Sequence, residues 1–312
     1  MIVPSINQKT NHLDLSIIIV SYNRAYNLLN CLSSIFKYTH GIKFEIIMVD
    51  NNSTENNVDL VRRDYPEVNI IANDQNLGYG KANNQGFQVA HGKYIAIINP
   101  DILIISNIFA NLVIRESKRI KDALIGVQHL DLDHQYLRSH FNFPSLGRRL
   151  LILSDLKKMI KKINKIIFSR HIGQGLKYVD YVSGAFMFMP KRLFKKSHGF
   201  DENYFMYHEE LDFCYRLYIK GYPVLLDIDN VIIKGDSNIE HPGNEFVFIE
   251  RNKSILYFYK KHYSRLNLKL LIILNLFIYF LRWLCSVNKQ HRILYKTVLG
   301  INWTELKNPT SK

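Results

Sequence analysis

Three short stretches of this 312-residue chain set carboxylate and amide side chains directly behind apolar, β-branched runs. Ser21-Tyr22-Asn23-Arg24 closes the run SIIIVS at 16–21, Asp50-Asn51-Asn52-Ser53 follows FEIIMV at 44–49, and Asn99-Pro100-Asp101 follows YIAII at 94–98. Asp50 and Asn52 have the groups to hydrogen-bond the edge of a base. Asp101 offers the hard oxygen that Mg²⁺ or Mn²⁺ prefers. Any one of these stretches alone is equally a helix cap or a turn; three at successive strand ends point to one shared rim. A fourth stretch, His208-Glu209-Glu210-Leu211-Asp212, gathers acids at the start of a helical pattern. A helix N-terminus favours the ionised carboxylate, the form a general base needs, although acids there also simply stabilise the helix.

The elements that must position these groups follow from the apolar periodicity. Strands are expected at 16–21, 44–49, 68–72 and 94–98, alternating with helices at 26–38, 58–64 and 78–90. That alternation predicts an α/β fold with a Rossmann-like, mostly parallel central sheet and helices on both faces. In such sheets ligands bind beyond the carboxyl ends of the strands, where the polar stretches lie. From about residue 122 the pattern changes. Strands are expected near 123–128, 136–138, 179–189 and 223–228, a helix at 209–221 that Gly221 stops, and helices from there to the end.

The net charge of +14 is concentrated. Residues 148–170 hold eight Lys or Arg against Asp155, and residues 250–312 hold twelve against Glu250 and Glu305. Segment 148–170 reads as an amphipathic basic helix, or two joined at Ser154-Asp155; a solvated charged face over a buried one is the alternative. At 266–287 the charge-free apolar core is 270–281, interrupted by Asn275 and bracketed by Lys269 and Arg282 with Trp283 at its edge. This falls short of the roughly 20 residues of a membrane span, so a helix lying in the membrane interface is expected, or one packed on the domain. The polar residues 1–15 do not have the pattern of a secretory leader. Cys31, Cys214 and Cys285 match no zinc or redox spacing and are expected as free thiols.

Taken in order, SIIIVSYNR (16–24), VDNNSTENN (49–57), NLGYGKANNQG (76–86), INPD (98–101), SGAFMFMP (183–190) and GFDENYFMYHEELDFCYRLYIKGY (199–222) resemble the inverting family 2 glycosyltransferases. Within them the likeness is greatest to the rhamnosyltransferase-like branch of bacterial surface-polysaccharide synthesis, over roughly residues 14–260. The resemblance implies a GT-A fold with a catalytic domain at 15–262, its nucleotide-binding half at 15–121 and acceptor half at 122–262. A tail (1–14) and a basic, apolar helical extension (263–312) flank it.

The resemblance also implies a nucleotide-sugar site at Val20, Tyr22, Asn23, Arg24, Asp50, Asn52, Asn76, Gly78, Lys81, Asn99, Asp101 and Gly184. Glu210 would be the general base, with Glu209 beside it and Asp212 a further acidic candidate. Asp101 would hold Mn²⁺ or Mg²⁺ as the single carboxylate of Asn-Pro-Asp, where many relatives have two or three acids. The His that relatives often place on the loop after this helix has no direct match in VIIKGDSNIEHPG (231–243); His241 or Asp236 would stand in. The implied partners are a dTDP- or UDP-linked sugar and a glycan or lipid-linked glycan acceptor, with no nucleic acid. An anionic membrane surface is expected as well, on the cytoplasmic face of the cell membrane.

Three other functions fit less well. A nicotinamide-dependent dehydrogenase needs Gly-x-Gly-x-x-Gly after the first strand, and SYNRAYN has no glycine. A nucleotidyltransferase would want an early glycine- and Lys/Arg-rich phosphate loop. A nucleic-acid binder would carry its basic residues among base-stacking aromatics, whereas here they avoid the expected rim.

Overall fold

The computed structural model describes residues 13–119, 122–147, 171–172, 175–235 and 245–307. The basic stretch 148–170, Asp236 and His241 lie outside the described residues. The first half alternates as expected: β1 (Leu15–Ser21), α1 (Ala25–Tyr38), β2 (Phe44–Asp50), α2 (Asn57–Asp64), β3 (Asn69–Ala72), α3 (Tyr79–Val89) and β4 (Tyr94–Ile98). Next come β5 (Ile102–Ile104), α4 (Ile108–Ser117), β6 (Leu124–Leu130), β7 (Tyr136–Leu137), β8 (His140–Phe141), β9 (His171–Ile172), β10 (Leu176–Tyr178), β11 (Tyr181–Val182) and β12 (Phe186–Pro190). The chain continues with α5 (Lys191–Lys196), α6 (Glu209–Ile219), β13 (Val224–Lys234), α7 (Glu245–His262), α8 (Arg265–Cys285) and α9 (Lys289–Lys307).

The central sheet runs β3-β2-β1-β4-β12-β6-β13-β10-β9. Strands β3, β2, β1 and β4 are parallel, and their side chains divide strictly by the two-residue strand period. Ile17, Ile19, Ile46, Met48, Ala96 and Ile98 enter one apolar layer, while Ile18, Val20, Ile47, Val49, Ile95 and Ile97 enter the other. Burial on both faces is why β1, β4 and the second half of β2 read as apolar runs, whereas β3 lies at the sheet edge and is partly exposed.

Two expectations change in the second half. The strand expected at 179–189 breaks at Ser183-Gly184-Ala185. Its first part, β11, pairs with β8 in a separate two-stranded sheet, while β12 runs antiparallel to both β4 and β6. The break is held by bonds in two directions, Ser183 N–H to Ser139 O at 2.8 Å and Asn99 N–H to Ala185 O at 3.0 Å. The strand expected at 223–228 extends to Lys234 through a bulge between Asp227 and Val231. The wholly buried Asp227 ties that bulge, accepting from the backbone N–H groups of Asp229 and Asn230 and from Arg115 at 2.5 Å.

Helix α7 is clamped to α6 through Asp212, which is wholly buried and lies 2.7 Å from each of Arg216 Nε, Lys261 Nζ and His262 Nε2. Helices α8 and α9 form a hairpin on α7. Asn275 donates to Asn302 and the Tyr279 hydroxyl to Asn252, each at 2.9 Å in buried surroundings.

Candidate functional site

At the C-terminal ends of β1 and β2, Ser21 and Asp50 are register partners, so both loops leave the sheet at one level. The loops are locked by side-chain hydrogen bonds. Asp50 accepts from Ser53 N–H at 3.0 Å and Ser53 Oγ–H at 2.6 Å, and Ser53 Oγ accepts from Asn23 N–H at 2.8 Å. Asn57 donates to Ser21 Oγ and to Asn23 O. Asn23, Arg24 and Asn52 have φ of 58°, 61° and 67°, left-handed backbone that Asn tolerates best among side-chain-bearing residues. The result is a shelf from which Tyr22, 49% exposed, presents its ring and Asn52 its amide to solvent.

Asn51 was not among the candidate residues and proves to be the centre of the neighbouring turn. Its side chain is buried, donates to Asn76 Oδ1 and Gly78 O, each at 3.1 Å, and accepts from Asn73 and from Leu77 N–H. Asn76 thereby belongs to the scaffold, accepting also from Gly78 N–H at 3.0 Å. Val20 is a core residue, 7% exposed, whose side chain packs in the second apolar layer. Like the candidates Gly78 and Gly184, it brings only backbone to the rim.

Gly78 opens α3 with φ 84°, and a Cβ there would stand 2.3 Å from Phe205 O. Tyr79 N–H donates to the same carbonyl at 3.0 Å, and Asn84 brackets Phe200 by accepting from its N–H and donating to its C=O. The motifs at 76–86 and 199–210 are therefore one structural unit. Its first turn also exposes Lys81 at the rim.

That unit delivers the acids. Tyr207 and His208, both at φ 67°, turn the chain into α6, whose first two residues are Glu209 and Glu210. The Tyr79 hydroxyl donates to Gly184 O at 2.8 Å. Its acidity is suppressed first by burial and then by the negative charge of Glu209, with Glu210 and Asp101 adding to it. A side chain at Gly184 would touch Glu210 Cβ at 3.4 Å, so the glycine keeps the approach to Glu210 open.

Glu209 is 5% exposed and its Oε2 makes no hydrogen bond; burial, then the charge of Glu210, raises its pKa well above the carboxylate range. Glu210 is pushed up to about 7 by burial, against the pull of helix-start N–H groups and of Arg251. Arg251, on α7, lies with its guanidinium 4.4 Å from the centre of the Tyr207 ring. The sequence had registered it only as charge.

Asp212 does not join this cluster. Burial alone would raise its carboxyl, but the bond to His262 and the charges of Arg216 and Lys261 hold it at about 2. Its oxygens are committed to joining two helices, which corrects the expectation of a catalytic acid there.

Asp101 is 9% exposed and accepts at its backbone O from Gly235 N–H at 2.7 Å. Asn99 Oδ1 beside it is buried without a hydrogen-bond partner. Among the described residues no group of three His, Cys, Asp or Glu is assembled for a metal. One carboxylate and one unsatisfied amide oxygen suit a hard divalent cation that takes its remaining ligands from phosphate and water. Gly235 also starts the segment that carries Asp236 and His241. A hollow of about 340 Å³ lined by Gly92, Tyr94, Glu116, Asp122 and Arg192 lies at the opposite end of β4 and has no part in this rim.

Residues 16–196, more than half of the chain, match the model of glycosyl transferase family 2. The chain belongs to that family. This family 2 chain is 27% identical to the low-salt glycan biosynthesis hexosyltransferase Agl10 of Haloferax volcanii, over 67% of its own length and 63% of the relative's. It is 28% identical to the rhamnosyltransferase WbbL of Escherichia coli, over 46% and 55% respectively. The first three curated relatives are matched over only 38%, 63% and 29% of their lengths. Among solved structures, the mannosyltransferase PcManGT from Pyrobaculum calidifontis, in complex with GDP-Man and Mn²⁺, superposes with a TM-score of 0.57. That superposition covers 97% of this chain and 89% of that one at 14% identity, a likeness of fold, and the fold is GT-A. The family match ends at residue 196, so the role of α6 rests on its geometry.

Proposed function

We propose that this chain transfers a sugar from a nucleoside diphosphate donor to a hydroxyl group of a glycan or lipid-linked glycan, with inversion at the anomeric carbon. The observation that carries the reading is that the turn bearing Glu209 and Glu210 is seated on the strand-end rim: the Tyr79 hydroxyl donates to Gly184 O at 2.8 Å and Gly184 lies against Glu210, at the rim where Tyr22 follows β1 and Asp50 closes β2. Tyr22 stacks on the base, and the Asp50 shelf holds it. Lys81, in the first turn of α3, meets the diphosphate together with the positive end of that helix. Asp101 and Asn99 would hold Mn²⁺ or Mg²⁺, which when bound supplies positive charge to the leaving diphosphate.

Glu210 takes the proton from the acceptor hydroxyl as its oxygen bonds to the anomeric carbon. The carbon–oxygen bond to the diphosphate breaks on the opposite face, and the nucleoside diphosphate leaves. Burial raises the Glu210 carboxyl, and a raised carboxylate suits this task because it is the stronger proton acceptor. The likeness to WbbL supports rhamnose, on a dTDP or UDP carrier, as the first sugar to try. The setting proposed is the cytoplasmic, inner face of the cell membrane, where lipid-linked glycans of a surface polysaccharide are extended.

Nucleotide release from dTDP-, UDP- and GDP-sugars with Mn²⁺ or Mg²⁺, beside Glu210→Gln, tests the proposal. One donor class is expected to turn over, and the variant to lose at least about 100-fold. Undiminished turnover in Glu210→Gln, or a product of retained configuration, overturns it.

A further inference from the structure

Helix α8 is 21 residues long, and at 1.5 Å per residue it reaches about 31 Å, enough to cross a bilayer. Its packing argues against that. Leu268, Leu271, Ile272, Ile278 and Tyr279 are buried against the rest of the chain, and Asn275 is wholly buried on Asn302. Crossing would strip the helix from α7 and α9 and carry Asn275 into hydrocarbon, a costly transfer for an unpaired amide.

The opposite face is bare. Leu266, Leu270, Ile273, Phe277, Phe280 and Leu284 are each 44–66% exposed and recur at alternating spacings of four and three, forming one stripe along the whole helix. This spacing is also that of a coiled-coil seam, which makes a second copy of the chain the rival occupant. The charges of the hairpin decide between them. Helix α8 contains no Asp or Glu, and the single acid of α9, Glu305, is paired with Lys260 at 3.1 Å. Arg265, Lys269, Arg282, Lys289, Arg292 and Lys296 are all exposed, although Arg282 turns towards the buried face, over the Tyr279 ring at 5.8 Å. Two such hairpins face to face would set cation against cation, whereas an anionic surface complements them.

Tryptophan geometry agrees. Arg292 lies 5.1 Å from the Trp283 ring centre and Lys307 5.1 Å from that of Trp303, pairing an amphipathic ring with a cation as at the headgroup level of membranes.

We infer that the α8–α9 hairpin is a docking face that lies flat on an anionic lipid bilayer, its apolar stripe among the upper acyl chains and its cations at the phosphates. This gives a specific surface to the membrane setting proposed above, but it does not depend on the transfer reaction.

The chain's only two tryptophans, Trp283 and Trp303, both lie on this hairpin, so intrinsic fluorescence reads the face directly. The full chain is titrated with vesicles of phosphatidylglycerol and phosphatidylcholine, and with phosphatidylcholine alone. Sedimentation velocity is run in parallel without lipid. The expected result is a blue-shifted emission and vesicle binding that needs the anionic lipid and weakens with salt. Phe277→Asp with Phe280→Asp should weaken binding at least about tenfold, and so should Lys269→Glu with Lys296→Glu. All four side chains are exposed, and an unchanged melting temperature verifies folding. Nucleotide release with a soluble acceptor should be untouched in both variants, which separates failure here from failure of the proposed reaction. Absence of binding to anionic vesicles, or binding that both variants retain, overturns the inference. So does a dimer that the Phe variant dissolves while vesicles leave the fluorescence unmoved.

Discussion

Replacing Asp212 by Asn should unfold the protein more easily while leaving its chemistry in place. The carboxylate is wholly buried, with three cationic or hydrogen-bonding partners at 2.7 Å on two different helices. Its pKa falls from an ordinary 3.8 to about 2. At 1.36 kcal/mol per unit this is a stabilisation on the order of 2 kcal/mol. Because the folded value is the depressed one, that contribution is complete above pH 3.8 and is lost as pH falls towards 2. The variant also leaves Arg216, 18% exposed, without its counter-charge, and takes one of two carboxylates from Lys261, which keeps Asp201 at 2.6 Å. Breaking a buried pair from one side costs about 3–5 kcal/mol, part of which an Asn amide recovers by hydrogen bonding. Urea unfolding at pH 7 should therefore show a loss of about 2–4 kcal/mol. The gap to wild type should narrow as the titration is repeated from pH 4 down to pH 2. A loss below about 1 kcal/mol would refute the clamp, since exposed pairs contribute that little. Loss of nucleotide release with an unmoved urea midpoint would return Asp212 to the chemistry.

Arg251→Gln removes a charge that holds Glu210 down, so the rising limb of the pH–rate profile, expected near 7 in the wild type, should move to higher pH. The rate should fall at pH 7 and recover near pH 9; an unmoved limb would dissociate Arg251 from Glu210. Gly78→Ala forces a side chain into positive φ and against Phe205 O, and should lower stability by roughly 2–4 kcal/mol in thermal unfolding while loosening the fit of α3 to the 199–208 loop. Asn51→Ala deletes a side chain with four buried or half-buried hydrogen bonds. A cost of about 2–3 kcal/mol and a raised KM for the donor are expected, with little change in the pH profile.

The strands that build the rim were legible because burial on both faces leaves runs dominated by apolar residues, with Ser16 and Glu45 the exceptions near their starts. Strand β13 was cut short in the sequence reading because its middle, Asp227-Ile228-Asp229-Asn230, is polar. Only the structure shows that Asp227 serves a bulge and is satisfied by Arg115. Neither β5 nor α4 was expected in the segment between Asp101 and residue 122. Strand β5 is three residues long and exists only by pairing with distant β13. The insertion of β12 between β4 and β6 is equally non-local.

In the site, the amide-rich turns concealed their own logic. Asn51 and Asn52 are adjacent and chemically identical, yet one is the buried centre of a hydrogen-bond network and the other faces solvent. Asp212, by contrast, was decipherable. Two residues along a helix is a rotation of about 200°, so Glu210 and Asp212 point to opposite faces, and Asp212 is committed to Arg216, Lys261 and His262. Helix α8 was read as a 12-residue apolar core because Lys269 and Arg282 bracket it; both are exposed on one longer helix.

The antiparallel pairing of β4 with β12 sets a condition on how this protein can be made. Every residue of β4 is buried, and its outer edge is covered from Tyr94 to Ile98 only by Pro190 to Phe186. During synthesis β12 leaves the ribosome roughly 90 residues after β4, a delay of roughly 5–20 s at ordinary elongation rates. Throughout that interval this apolar edge has no partner, and an open apolar edge is a template for association with other chains. A fragment ending near residue 121 would stay in that state permanently and should be recovered as aggregate, whereas the full chain should fold late, in one step, and benefit from a chaperone that holds the edge until β12 arrives.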